Sequence, residues 1–504
     1  MSHLLKDNLK KYFIILKISI IILLLFLFYN GFINYNGNKI IYVVFSIVSN
    51  FLIYFSFRKN ALFFETFFAL LLWLGFWFKF TNTISFTDGV FREGVGMFNY
   101  SVNSFNETLI ISTIGLVAFI MGGYFREFFL FRYPQKLYFN FNKNNFFIKN
   151  RNKIWLIFTI LFLYIAASNF YLKIYQKGLL PVENFNFIFS GTYKWLLLFG
   201  LSSISSIIIF FEINILKKFL FTSSLIIFFE IFFSAFSMLS RGMIFNAFAI
   251  LFGIYKFTKK INNHQKLSSY FKSIITISVL FYISVASVNY IRSNYFYVGK
   301  SADFAKEMIQ KALPDDDGQI KKIEKYNTIA SHHSEFTYLL INRWVGIDGV
   351  MSVISKKEIL NLDLLKDSFN ERANSETPTF YEMKFGLENI KNYRETKKKQ
   401  LYSNVKGNTL PGLIAVSFYA GSYYLLFFII FLITIFASSI EYFAFRFSNK
   451  NLIFSALIGQ IIAFRFIHFG YLPHQSYLLF GTILITILLI YLFGLIIGKT
   501  KQIN

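Results

Sequence analysis

Apolar runs separated by short polar stretches repeat along almost the whole chain. Most runs hold roughly 20 residues, the length at which an α-helix crosses the hydrocarbon core of a bilayer. The pattern predicts an all-α polytopic membrane protein with about twelve transmembrane helices. The predicted spans are Phe13–Asn34, Ile40–Phe57, Ala61–Phe80, Thr108–Tyr124, Ile154–Leu172, Trp195–Ile213, Phe219–Leu239, Met243–Phe257, Ser273–Tyr290, Leu410–Phe443, Leu452–Phe469 and Tyr477–Ile497. The tenth is too long for one crossing, and the first, which no small-residue cleavage site follows, is interpreted as a retained helix.

One long polar region, Arg292–Thr409, interrupts this pattern and carries most of the acidic residues. It divides the chain into residues 1–291 (helices 1 to 9), a loop subdomain at 292–409, and residues 410–504 (helices 10 to 12). Short amphipathic helices are predicted within the loop at Ala302–Leu313 and Lys356–Phe369. The stretch between them, Phe336–Ser355, is too apolar for an open loop and is predicted to lie on or dip into the membrane surface.

Lysine and arginine collect in alternate connections, which orients the predicted helices, because cytoplasmic loops are enriched in these residues. With the N-terminus inside, every cytoplasmic connection is basic and the 292–409 loop lies on the far side of the membrane. The basic segments are Arg58–Lys59, Arg126–Lys153, Lys217–Lys218, Lys256–Lys272, Arg446–Lys450 and Lys499–Lys501.

Composition agrees with a membrane protein, since 55% of the 504 residues are apolar and only 15% are charged. The net charge of +25 and the 70 phenylalanines are explained by an AT-rich genome, so they do not indicate a nucleic-acid partner. The absence of cysteine excludes a disulfide framework and a thiolate metal site. No phosphate-binding, dinucleotide or HExxH motif is present, so neither a cofactor nor a metal is expected.

Three arginines lie within apolar sequence: Arg241 in a turn between two predicted spans, Arg343 in YLLINRWVGIDGV, and Arg465 in IIAFRFIHFGY. Under the predicted topology all three lie near the face opposite the cytoplasm. An arginine in the membrane is costly and usually faces a cavity, a partner or a polar ligand, and its planar fork suits phosphate oxygens. Each one alone has a structural alternative, namely snorkelling to lipid headgroups or, for Arg343, pairing with Asp348.

Other polar residues on that face are weaker candidates. Arg92 lies in a short loop that is more simply an ordinary surface turn, and Arg292 begins the large loop. Proton acceptors are offered by His333, Glu335, Asp348 and His468, the last one helical turn after Arg465. The adjacent pair His332-His333 does not suit a shared metal site, because neighbouring side chains point apart.

The layout of the chain resembles that of the bacterial O-antigen polymerases of the Wzy type. The segments that carry the resemblance are the SRG turn Ser240-Arg241-Gly242, the stretch Arg343-Trp344-Val345-Gly346 with Asp348-Gly349, and Thr409-Leu410-Pro411-Gly412, which is predicted to open a long helix containing Gly421. These motifs are short, while the likeness in layout covers nearly the whole chain. Members of this family usually have functional arginines in an earlier periplasmic loop too, where this chain offers only Arg92.

The resemblance implies a metal-independent glycosyltransferase in the bacterial inner membrane, with both termini cytoplasmic. It would join oligosaccharide repeat units carried on undecaprenyl pyrophosphate, at the periplasmic face, with a chain-length regulator as an optional partner. Arg241, Arg343 and Arg465 would stabilise the pyrophosphate leaving group, and His333, Glu335, Asp348 or His468 would act as the base. Arg92, Arg292 and Glu335 would bind substrate.

Two other functions fit parts of the pattern. An O-antigen ligase or another polyprenyl-linked glycosyltransferase shares the layout and nearly the same chemistry. A flippase for the same lipid-linked glycan would suit twelve spans and embedded cations, but it predicts short loops throughout. The loop of over a hundred residues therefore places the flippase third.

Overall fold

The fold is that of a computed structural model, which describes residues 2–87, 89, 91, 95–137, 145–176, 185–261, 267–297, 341, 343–370, 380–385, 410–470 and 473–499. All regular structure in these ranges is helical, as the sequence predicts. The helices of the first part are α1 (Ser2–Asn34), α2 (Lys39–Ser56), α3 (Phe63–Phe86), α4 (Val102–Leu130), α5 (Asn145–Leu172), α6 (187–216), α7 (Phe221–Ser237), α8 (Phe245–Lys260) and α9 (Leu267–Tyr297). Those of the second part are α10 (Ile347–Ile354), α11 (Leu362–Phe369), α12 (Phe380–Phe385), α13 (Gly412–Ser417), α14 (Tyr423–Phe447), α15 (Leu452–Ile467) and α16 (Pro473–Lys499).

Among the described residues, 7 helices are long and apolar enough to cross a membrane. Four further apolar helices are shorter, at Ile18–Asn34, Phe221–Ser237, Leu452–Ile467 and Ser476–Leu492. The chain is therefore a helical membrane-embedded protein. Each of the twelve predicted spans overlaps one of these helices or α8, so the positions of the apolar helices agree with the sequence pattern.

The run Leu410–Phe443, too long for one crossing, forms two helices, so the prediction of one long helix containing Gly421 is wrong. The chain forms the short helix α13, turns at residues 418–421, and begins α14 at Tyr423. Gly421 adopts φ +67°, a conformation that side chains rarely tolerate, and its N–H donates to the carbonyl of Phe418 at 2.8 Å. The Ser422 hydroxyl then accepts from the N–H of Leu425 and caps the new helix.

Helix α15 lies at the centre of the bundle, packed against α3, α8 and α14. Close approach depends on small residues: a Cβ on Gly253 of α8 would lie 2.8 Å from the Cα of Ile453. Every residue of α15 is buried except Phe464 and Arg465, near its C-terminus. The centre of the fold therefore opens to the surroundings at the position of an arginine singled out in the sequence.

Within the apolar stretch Phe336–Ser355, residues 346–354 are buried within the protein. All eight residues of α10 are buried, and the helix packs against α4 and α13. Just before it, a Cβ on Gly346 would lie 2.6 Å from the backbone carbonyl carbon of Gly75 in α3. The two backbone segments therefore touch at these glycines. The apolar character of this stretch thus reflects packing among helices, where the sequence suggested the membrane surface.

The predicted helix Lys356–Phe369 is split in two. A single 3₁₀ turn, Lys357–Ile359, precedes α11, and the Asn361 side chain caps α11 by accepting from the N–H of Leu364 at 2.7 Å. The other predicted loop helix, Ala302–Leu313, lies outside the described residues, as does most of 292–409. The division of the chain at 292 and 409 therefore stays a prediction.

Candidate functional site

The turn that carries Arg241 is tight, as predicted. Helix α7 ends at Ser237, Leu239 takes a left-handed conformation (φ +51°), and the Ser240 N–H donates back to the carbonyl of Ala235 at 2.8 Å. A 3₁₀ turn at Gly242–Ile244 leads directly into α8. Arg241 is half-buried at this turn.

This turn lies against the C-terminal end of α15. A Cβ on Gly242 would lie 2.6 Å from the ring of Phe464, so only glycine allows the backbone to approach this ring. Because Arg241 precedes Gly242 and Arg465 follows Phe464, the contact brings two of the three predicted arginines to the same end of the bundle. It also gives a structural reason for the glycine of the SRG turn.

An aromatic cluster, formed by Phe245, Trp344, Phe464 and His468, joins the third arginine to the other two. Ring centroids of Phe245 lie 6.2 Å from Trp344 and 6.3 Å from Phe464, and those of Phe464 and His468 are 4.2 Å apart. Each predicted arginine is adjacent in sequence to a member of this cluster or to Gly242. The structure therefore brings Arg241, Arg343 and Arg465 to one region, with Arg343 exposed and the other two half-buried.

Around Arg465 the structure adds polar residues that sequence reasoning missed. The Arg465 Nε donates to the hydroxyl of Ser476 in α16 at 2.7 Å. The Lys194 Nζ lies 4.9 Å from the centroid of the Tyr175 ring. Burial raises the pKa of the Tyr175 hydroxyl to about 12, and the positive charge of Arg465 acts against that rise. Tyr175 therefore lies within the electrostatic influence of Lys194 and Arg465 together.

One ring nitrogen of His468 forms a hydrogen bond with the backbone. Its Nδ1 lies 2.8 Å from the carbonyl oxygen of Phe464, and because a carbonyl only accepts, Nδ1 carries the proton. In the neutral imidazole this tautomer leaves the lone pair on Nε2, which is the arrangement a general base needs. His468 is half-buried at the end of α15.

Two further turns support this region. The Gly412 N–H donates to the carbonyl of Phe469 at 3.1 Å, so the Pro411-Gly412 turn lies against the turn that follows α15. On its other side, a Cβ on Gly349 would lie 2.6 Å from the carbonyl carbon of Pro411. The described parts of the three segments that carry the resemblance to O-antigen polymerases thus lie close together, although Pro411-Gly412 opens the short α13 and not a long helix. Thr409 lies outside the described residues.

Asp348, one of the candidate bases, is engaged in an ion pair inside the bundle. It is fully buried and forms an ion pair with Lys79 of α3, whose Nζ also donates to the carbonyl of Trp344 at 3.2 Å. Lys79, 1% exposed, follows directly on a π-helical turn at Leu74–Phe78, a feature that is frequent at functional sites. The structure therefore pairs Asp348 with a lysine, where the sequence suggested Arg343.

Lys79 could have been found from the sequence, because it lies in the apolar run LLLWLGFWFKF and meets the criterion that was applied to the arginines. Lys194 borders a predicted loop, and Tyr175 is one of 31 tyrosines, so neither carries a sequence signal. Only the packing of α15 against its neighbours brings them to Arg465.

The remaining predicted residues are not placed. His333, Glu335 and Arg92 lie outside the described residues. Arg292 belongs to helix α9, but its side chain is likewise outside the described part. Among the residues the structure covers, no group of three or more His, Cys, Asp or Glu side chains could hold a metal ion.

Comparison with known proteins found no match: no family model, no curated protein and no solved structure is similar to this chain.

Proposed function

We propose that the chain is a membrane glycosyltransferase that polymerises oligosaccharide repeat units linked to undecaprenyl pyrophosphate, yielding O-antigen or capsular polysaccharide. The observation that carries the proposal is that the sequence neighbours of Arg241, Arg343 and Arg465 meet around one aromatic cluster at the C-terminal end of the central helix. An apolar bundle with cationic forks at one end suits an amphiphilic substrate that has a polyprenyl tail and a pyrophosphate head.

The proposed topology has twelve spans, cytoplasmic termini in the bacterial inner membrane, and the region 292–409 in the periplasm. Seven helices are long enough to cross by themselves, and the four shorter apolar helices together with α8 (Phe245–Lys260) bring the proposed number to twelve. The aromatic cluster then lies at the periplasmic end of the bundle. The basic residues Lys256, Lys259 and Lys260 at the far end of α8 agree with a cytoplasmic position for that end.

In the proposed reaction, a hydroxyl on the non-reducing sugar of one lipid-linked unit attacks the anomeric carbon of the growing chain. The bond from that carbon to the pyrophosphate oxygen breaks, and undecaprenyl pyrophosphate leaves with the electron pair. The arginines stabilise the negative charge that develops on the leaving group. The hydroxyl proton passes to a base, for which His468 is the best placed of the described candidates, because its ring belongs to the aromatic cluster next to Arg465.

Asp348 is given a supporting part in this proposal. Its carboxylate is buried against Lys79, so it holds the Arg343 segment onto α3. A carboxylate that is ion-paired and fully buried is a poor acceptor for a substrate proton. The other base candidates, His333 and Glu335, lie outside the described residues and stay predictions.

The test is to delete the gene in its host and to examine the surface polysaccharide by gel electrophoresis. We expect the ladder of polymer lengths to be lost while a single repeat unit remains attached to the core. Lipid-linked polymer without surface glycan would replace the polymerase by a ligase, and single units trapped on the cytoplasmic side would indicate a flippase. An unchanged ladder would contradict the proposal.

Complementation of the deletion with variants tests the arginines. Arg465→Lys keeps the charge but loses the bidentate fork, and it is expected to lower polymer formation about 100-fold, the scale of one oxyanion-stabilising donor. Arg446→Lys, at an exposed position near the C-terminus of α14, is the matched control and should restore the ladder fully. Full activity of Arg465→Lys at a normal protein level would remove the arginine from the proposed mechanism.

A further inference from the structure

A cleft that the proposed function does not use lies at the other end of helix α8 from the aromatic cluster. Three lysines line it together with Tyr133: Lys59, from the loop between α2 and α3, and Lys256 and Lys260 of α8. The helix has 16 residues, which at 1.5 Å per residue puts the cleft about 24 Å from the cluster. This is close to the thickness of the hydrocarbon core, so the cleft lies at the level of the opposite headgroups.

The lysines concentrate positive charge on the cleft. Lys256 and Lys260 are four residues apart and so share one helix face. The Lys260 Nζ donates to the Pro134 carbonyl at 2.5 Å and lies 5.5 Å from the centroid of the Tyr133 ring. Within the described ranges, none of the three lysines forms an ion pair with a carboxylate.

Two glutamates of the same end of the bundle, Glu65 and Glu127, are already engaged by arginines. Glu65 is fully buried and forms ion pairs with Arg58 and Arg126. Glu127 accepts from Arg58 at 2.6 Å. Two carboxylates thus balance two guanidinium groups, and neither is left to compensate the lysines of the cleft.

A third glutamate, Glu441, lies behind the cleft and is held by other donors. Its Oε1 accepts from the Tyr133 hydroxyl at 2.5 Å and from the N–H of Phe63 at 2.9 Å, the latter at the N-terminus of α3. Glu441 is fully buried beneath Tyr133. At most one carboxylate therefore faces three lysines, and the cleft keeps a net positive charge.

An apolar wall leads from the cleft to the outside of the bundle. Phe63, which lines the cleft, packs against Phe252 with ring centroids 5.6 Å apart, and Phe252 packs against Tyr255 at 6.4 Å. Tyr255 is 43% exposed on the outside of the bundle. A molecule with an anionic head and an apolar chain could thus place its head at the lysines and its chain along the aromatic rings.

We propose that the three lysines around this small cleft, whose cavity of about 20 Å³ is too small to enclose a phosphate, hold the phosphate headgroup of an anionic phospholipid of the surrounding leaflet over the cleft. Lysine ammonium groups are flexible point charges that suit a phosphodiester without a fixed orientation, and basic pockets between membrane helices are known to hold anionic headgroups. The acyl chains would lie along the wall formed by Phe252 and Tyr255. The site is separate from the aromatic cluster, and the inference does not depend on the proposed reaction.

The experiment is thermal unfolding of the purified full-length protein in detergent, titrated with phosphatidylglycerol or phosphatidylcholine. A lipid that binds only the folded state raises the unfolding temperature as its concentration rises, so phosphatidylglycerol should raise it and phosphatidylcholine should not. The triple variant Lys59→Gln, Lys256→Gln, Lys260→Gln should lose this increase. The matched control, Lys149→Gln, Lys153→Gln, Lys218→Gln, removes three exposed lysines elsewhere and should keep it.

If the triple variant does not fold, Lys59→Gln alone serves, because Lys59 is exposed on a loop. We expect the apparent affinity for phosphatidylglycerol to fall about fivefold for this one lysine. An equal response to phosphatidylcholine, or an undiminished response in the lysine variants, would overturn the proposal. Equal stabilisation by inorganic phosphate would assign the cleft to a soluble anion and would overturn the lipid assignment.

Discussion

At the scale of single residues, two buried ion pairs of the described part of the chain contrast with the candidate functional arginines, which are at least partly exposed. Arg126 and Glu65 have no exposed side-chain surface and form an ion pair, and Lys79 and Asp348 do the same near the candidate site. Arg343, by contrast, is exposed, and Arg465 is half-buried. A buried charge without a partner strongly destabilises the folded protein. An arginine that has to bind a ligand is therefore expected to be at least partly exposed.

The Lys79–Asp348 pair provides a prediction about stability. Lys79→Met or Asp348→Leu alone leaves a buried charge uncompensated and should each lower the free energy of unfolding by about 3–5 kcal/mol. The double variant removes both charges and should be clearly more stable than either single one. The measurement is thermal unfolding of the purified variants in detergent. Losses that simply add up in the double variant would contradict a direct pairing.

At the scale of elements, backbone contacts through glycine hold the Arg343 segment inside the bundle. Gly346 touches Gly75 of α3, and Gly349 touches Pro411. Helix α10 then continues this segment among α4 and α13, with every residue buried. The position of Arg343 therefore depends on the glycines at 346 and 349, where a larger residue would not fit.

Substitution of these glycines should show the effect. Gly349→Ala would place a methyl group against the Pro411 carbonyl and should destabilise the protein by about 1–3 kcal/mol, with a loss of polymer formation. Gly481→Ala in α16 is the control, since a Cβ there meets nothing within 4 Å and alanine favours the helix. Both variants are compared by thermal unfolding and by the surface polysaccharide ladder. A Gly349→Ala protein as stable and active as Gly481→Ala would refute the close contact.

At the scale of the whole molecule, one helix links the two ends of the bundle. Helix α8 begins beside Arg241 at the aromatic cluster and ends at Lys260 in the lysine cleft. Its neighbour α15 runs through the buried centre. The proposed catalytic region and the proposed lipid site therefore lie at opposite ends of helix α8.

The proposed orientation is testable because the chain has no cysteine of its own. Single cysteines at Ser301→Cys, Asn263→Cys and Asn504→Cys can be labelled in spheroplasts with a thiol reagent that does not cross the membrane. Ser301→Cys should be labelled from outside, and the other two only after permeabilisation, since loops rich in lysine remain in the cytoplasm. The reverse pattern would invert the topology and would place the arginines in the cytoplasm.

By itself the sequence determined where the apolar helices lie, because length and hydropathy are properties of a continuous segment. It also singled out Arg241, Arg343, Arg465 and His468, because charge in an apolar run is visible without a structure. It missed the break at Gly421, because the less apolar residues around the turn are few within the long run Leu410–Phe443 and hydropathy does not detect a change of direction.

The tertiary structure alone decided which side chains meet. In a membrane protein both lipid and neighbouring helices favour apolar residues, so hydropathy cannot tell the buried α10 from a segment at the membrane surface. The pairing of Asp348 with Lys79 and the contact of Gly242 with Phe464 join residues more than about 200 positions apart in the chain. Such contacts depend on how the helices pack, which no single segment of sequence encodes.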